Sequence, residues 1–90
     1  MAEFVVELYL SAAQLFTAPD LIGAASRAAA DVSRDGQSVR CVRSFVVPED
    51  ETCFLLFEAR SIDAVREVLG RAGLSAGRVT EAMNLPEKPN

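Results

Sequence analysis

The stretch VRCVRSFVVPEDETCFLLFEA, residues 39–59, decides how this chain folds. Val39 to Val47 and Thr52 to Ala59 are both rich in β-branched and aromatic residues, the composition of strands. Between them Pro48-Glu49-Asp50-Glu51 is a turn: a proline fixes φ and short acidic residues follow. A connection this short makes the two strands antiparallel neighbours. Closing the turn with Val47 opposite Thr52 sets Val46 against Cys53, Ser44 against Leu55 and Val42 against Phe57. On the other face it sets Phe45 against Phe54, Arg43 against Leu56 and Cys41 against Glu58. Both faces of this hairpin are too apolar to stand in water.

Outward from the hairpin the pattern repeats. Glu3 to Leu10 alternates, with Phe4, Val6, Leu8 and Leu10 on one face and Glu3, Val5, Glu7 and Tyr9 on the other. A helix follows from Thr17, which is placed to cap it, with Asp20 as capping-box partner, Pro19 in the first turn and Phe16 and Leu21 spaced as a hydrophobic staple. Leu21, Ala25, Ala28 and Val32 form its apolar stripe, and Gly36 ends it. After the hairpin Ser61 caps a second helix, with Ile62, Val65, Val68, Leu69 and Ala72 as its inner face and a Schellman end at Gly73-Leu74. A last strand runs from Arg78 to about Met83. Residues 1–85 are expected to form a single domain, and 86–90, with Pro86 and Pro89, a flexible tail.

Strand, helix, hairpin, helix, strand is the split βαβ pattern of the ferredoxin-like α+β fold. Right-handed crossovers place the first and third strands at the centre of a four-stranded antiparallel sheet, with both helices on one side. Phe4, Val6, Leu8, Val42, Val46, Leu55 and Phe57 then face the helices. Val5, Phe45, Phe54 and Leu56 are left on the bare side, a patch that predicts an interface with a second copy and a dimeric α/β barrel-like assembly. Size agrees: a 90-residue chain buries only roughly 60–65 % of its unfolded surface, so a partner that covers apolar area is expected.

Composition excludes several classes of function. The formal charge is −4, and nine basic residues are scattered without a run, so no stripe is available to neutralise phosphates; neither nucleic acid nor membrane is expected as partner. No basic n-region precedes the first strand, and the expected location is cytoplasmic. Cys41 and Cys53 form neither a disulfide framework nor a Cys-x-x-Cys pair. Histidine is absent, which removes the commonest metal ligand and the commonest general base. Phe54 and Phe57 are three apart and point oppositely, unlike the paired aromatics of RNA-binding versions of this fold. No Gly-rich phosphate loop and no Gly-x-Ser-x-Gly elbow occur.

The candidate site lies among the polar residues of the bare face: Glu7, Tyr9, Cys41, Arg43 and Glu58. Charges among hydrophobes are costly unless paired. Either Arg43 ties Glu7 and Glu58 into an ion-pair cluster within the dimer, or these carboxylates, with Cys41 or Tyr9, hold a cation or a small polar molecule. For a metal the donors would be Glu7, Cys41 and Glu58.

The segments Phe4 to Glu7, Val42 to Phe54, Phe57-Glu58-Ala59, Ala64 to Glu67, Arg71 to Leu74 and Arg78-Val79 resemble, in order, a small ferredoxin-like family of unknown function named after a nickel-binding bacterial protein. The resemblance covers residues 3 to 83. It implies a homodimer of βαββαβ subunits and a divalent metal such as nickel as cofactor, with Glu7, Ser44, Glu58 and Arg78 at matching positions. Arg43 stands where metal-binding relatives are expected to carry an imidazole, and nickel prefers nitrogen and sulfur donors. Three functions follow as alternatives: a dimeric non-catalytic binding protein for a metal ion or small polar ligand, a small cofactor-independent enzyme of the dimeric α/β barrel type, and a structural or regulatory interaction domain.

Overall fold

A computed structural model describes residues 1–83 and 85. The expected tail, 86–90, lies outside the described residues. Six elements follow in the order βαββαβ: β1 Ala2–Tyr9, α1 Ala18–Arg34, β2 Val39–Val47, β3 Thr52–Ala59, α2 Ile62–Ala72 and β4 Arg78–Ala82. The four strands make one antiparallel sheet in the order β2-β3-β1-β4, with β1 and β3 central as the crossover rule requires. This is the ferredoxin-like α+β arrangement. No helix among the described residues is long and apolar enough to cross a membrane.

Both helices cover one side of the sheet. The core beneath them joins Phe4, Val6 and Leu8 of β1 and Cys53, Leu55, Phe57 and Ala59 of β3 to Ala25, Ala28, Ala29 and Val32 of α1 and Ala64, Val65, Val68 and Leu69 of α2. Alanines on the buried face of α1 let its axis approach the sheet, so the larger apolar volume comes from the strands. At the helix ends Arg71 of α2 donates to Glu67 at 3.0 Å and reaches Asp35, just beyond α1, at 2.7 Å.

The second helix begins and ends by the devices read from its sequence. Ser61 is extended and its Oγ accepts from the amide of Ala64 at 3.3 Å. At the other end Gly73 has φ 70°, and the amide of Leu74 donates to the carbonyl of Leu69 at 2.9 Å, the Schellman closure. The first helix starts differently from expectation. Thr17 is already helical in its backbone, accepts no capping bond, and its hydroxyl donates to the carbonyl of Gln14. A 3-10 turn over Gln14–Thr17 leads into α1 and supplies its entry instead. Phe16 is 90 % exposed, so the staple with Leu21 does not form.

The hairpin shows the largest departure. From Val47 to Arg43 the pairs are those expected, ending with Arg43 opposite Leu56. There the register shifts: Cys41 pairs with Phe57, Arg40 with Glu58 and Val39 with Ala59, and Val42 is the extra residue of a β-bulge. The expected pairs Val42–Phe57 and Cys41–Glu58 are therefore corrected. Unbroken alternation would have carried Arg40 beneath the helices, where an unpaired guanidinium costs several kcal/mol or more. The bulge turns Arg40 to the open face and brings Val39, 4 % exposed, into the core. It also leaves Val42 half exposed and packs Cys41 against the core cluster.

Replacing Ser61 with alanine removes the only side-chain cap seen at α2. Stability should fall by about 1 kcal/mol, read as a drop of roughly 4–8 °C in the thermal midpoint of a domain this small. An unchanged midpoint would show that packing alone fixes where α2 begins.

Candidate functional site on the open sheet face

The side of the sheet away from the helices carries three rows of side chains, each crossing β2, β3, β1 and β4. They are Arg40, Glu58, Glu3 and Ala82; Arg43, Leu56, Val5 and Thr80; and Phe45, Phe54, Glu7 and Arg78. Phe45 and Phe54 stack with ring centroids 5.0 Å apart and 22° between planes. With Leu56 and Val5 they make an apolar centre bordered by charge, and Phe45 is 49 % exposed.

The charges on this face pair, but not through Arg43. Arg40 donates to Glu58 Oε1 from both Nε (2.9 Å) and Nη2 (2.6 Å), and Arg78 stands 3.9 Å from Glu7 while its Nε donates to Thr80 at 2.9 Å. Within one chain Arg43 bridges neither Glu7 nor Glu58, and the bulge supplies Arg40 to Glu58 instead. Arg43 is exposed and makes no ion pair among the described residues. Spacing offered one signal for this: strict alternation along Arg40-Cys41-Val42-Arg43 cannot keep both arginines out of the core.

Cys41 does not join the carboxylates. Its Sγ lies 3.8 Å from the carbonyl of Arg43, as a weak donor, and burial pushes its thiol pKa up, with a smaller opposing effect from that bond. Cys53 has no exposed surface, and burial raises its thiol as well. No group of three Cys, Asp or Glu side chains stands in metal-holding geometry among the described residues. A protonated thiol turned to the core and two carboxylates engaged by arginines do not fit a resident nickel ion held by one chain.

Tyr9, 62 % exposed, lies at the edge of this region for a different reason. Its ring covers Gly77, where an added Cβ would come within 2.0 Å of Cε2. The Gly77 amide also donates to the carbonyl of Glu7 at 2.8 Å, so the loop before β4 is held against β1 at two points. Two clefts flank that loop. One of about 380 Å³ lies between α2 and β4, lined by Arg66, Leu69, Leu74 and Val79 among others. The other, about 230 Å³, has Tyr9, Gln14, Leu21 and Leu74 on its wall. Neither contains a carboxylate or a thiol.

A ferredoxin-like sandwich with one bare, charge-bordered sheet face is thus the class this chain falls in. The chain belongs to the family described as nickel responsive protein SCO4226-like, whose model matches residues 4–82. A crystal structure of SCO4226 from Streptomyces coelicolor A3(2) is similar to it, with a TM-score of 0.62 and 25 % identity, covering 94 % of this chain and 100 % of that one. No curated protein matches it significantly.

Two predictions follow from this geometry. Gly77→Ala must swing the exposed Tyr9 ring aside, a cheap movement for a side chain in solvent, so stability should change by no more than about 0.5 kcal/mol. Tyr9 is the single tyrosine and no tryptophan is present, so its fluorescence should shift in the same variant. For the thiols, the folded chain keeps protons that the unfolded chain gives up above about pH 8.5. Stability should hold steady below that pH and fall as pH rises toward the elevated folded values. Urea midpoints from pH 7 to 10 test this, and Cys53→Ala should flatten the slope whatever its effect on the midpoint itself.

Proposed function

We propose that the protein works as a non-catalytic homodimeric binding module, its open sheet face closed against that of a second copy. The observation that supports this is the stacked Phe45–Phe54 pair with Leu56 and Val5, an apolar centre exposed on a folded chain and enclosed by charges. An apolar patch rimmed by polar residues is the usual mark of an interface. The charged rim, with Glu7, Tyr9, Arg43 and Glu58, is where a small polar ligand would be held.

The nickel-responsive description of the family supports a metal-related role. Within one chain the donors Glu7, Cys41 and Glu58 stay apart, so divalent-ion binding by this protein depends on carboxylates contributed by two copies. Such a donor set binds weakly, and each carboxylate must first leave its arginine.

Native mass spectrometry of untagged protein with the variant Leu56→Asp tests the proposal. The wild type should be a dimer. Leu56→Asp places a carboxylate in the apolar centre without touching the core beneath the helices, so it should give a folded monomer by circular dichroism. Added nickel should register on the wild-type dimer and be lost in both Leu56→Asp and Glu58→Gln. A monomeric wild type, or nickel held equally by the monomer, would overturn this reading.

A further inference from the structure

Glu3 and Glu58 stand directly opposite one another on β1 and β3. Like charges at such a position destabilise a sheet unless cations relieve them. Arg40 relieves one of the two, since both of its bonds go to Glu58. Glu3 is half-buried and makes no ion pair among the described residues. On the same face Arg43 is likewise unpaired, beside Leu56 in the neighbouring row. The whole of β3 lies between β2, which carries Arg43, and β1, which carries Glu3.

The face as a whole is balanced. Arg40, Arg43 and Arg78 oppose Glu3, Glu7 and Glu58, although the chain carries a formal charge of −4. The surface that would lose water on association is thus neutral, with one cation and one anion left over. A two-fold interface makes every contact twice, so a leftover pair of opposite sign is what a second copy can complete.

We infer that the open face is covered by a second copy of this chain with Arg43 of each protomer paired to Glu3 of the other. This rests on the homodimer proposed above and specifies how its two sheets are aligned. Each dimer gains two such pairs, and each relieves a Glu3–Glu58 opposition that Arg40 alone cannot. Arg43 sits at the border of the apolar centre, where leaving it unpaired under a partner would be costly. Pairing it sets one register between the sheets and penalises others.

Charge reversal tests the inference through the dimer dissociation constant, measured by light scattering and analytical ultracentrifugation across a dilution series. Arg43→Glu and Glu3→Arg should each weaken the dimer at least about tenfold, and the double variant should recover most of that loss. Glu3→Arg also removes the opposition to Glu58, so the same variant should unfold at a higher temperature in the monomeric range. Loss of dimer with gain of monomer stability separates a broken interface from a damaged fold. A wild-type dimer indifferent to either reversal, or a double variant no better than the worse single one, would overturn the pairing while leaving the homodimer standing. A wild-type monomer would remove both.

Discussion

Arg40 cannot lie beneath the helices, and much of this structure follows from that. Its neighbours along β2 alternate toward a core in which Val39 belongs, yet unbroken alternation from the turn would exchange the two. A guanidinium has no partner among Phe57, Leu55 and the helix side chains there, and burying it alone costs far more than one irregularity in an edge strand. The sheet takes the bulge at Val42. That single extra residue brings Arg40 opposite Glu58, turns Cys41 toward the core and leaves Val42 half exposed. The composition of the candidate site is therefore a consequence of keeping one charge in water.

The two faces of the sheet are built from different materials. Beneath the helices, β1 and β3 contribute large side chains and α1 contributes mostly alanines, so the central strands carry the packing. The open face sets the stacked Phe45 and Phe54, with Leu56 and Val5, among six charges. Among the described residues no buried side-chain polar atom lacks a hydrogen-bond partner. The folded chain thus meets its internal polar requirements, and the exposed apolar centre, with Arg43 and Glu3 beside it, lies on the one sheet face the helices do not reach. The family is described as nickel responsive, and within one chain the Cys41 side chain packs toward the core, apart from Glu7 and Glu58.

Local signals in the chain were sufficient wherever one residue type has one physical use. Ser61 caps, Gly73 takes a left-handed conformation, and Pro48 to Glu51 turns the chain; each works within a few residues of itself. Thr17 misled because a hydroxyl can serve either as an N-cap acceptor or as a donor to a preceding carbonyl, and the 3-10 turn before α1 makes the second available. Phe16 misled for a related reason. A staple needs an extended cap residue to bring its two halves together, and Thr17 is already helical.

Sequence by itself determined the order of elements, the central place of β1 and β3, the helix-covered face and the apolar residues left on the other. Periodicity and capping are properties of neighbouring residues, and crossover handedness leaves few topologies for them to form. Only the tertiary structure decided which arginine meets which carboxylate. A strand's register depends on what lies across and above it, and a one-residue bulge preserves the hydrophobic pattern while exchanging every partner beyond it. The identity of the site therefore had to wait for the packed sheet, where the cost of burying Arg40 could be weighed against the cost of interrupting β2.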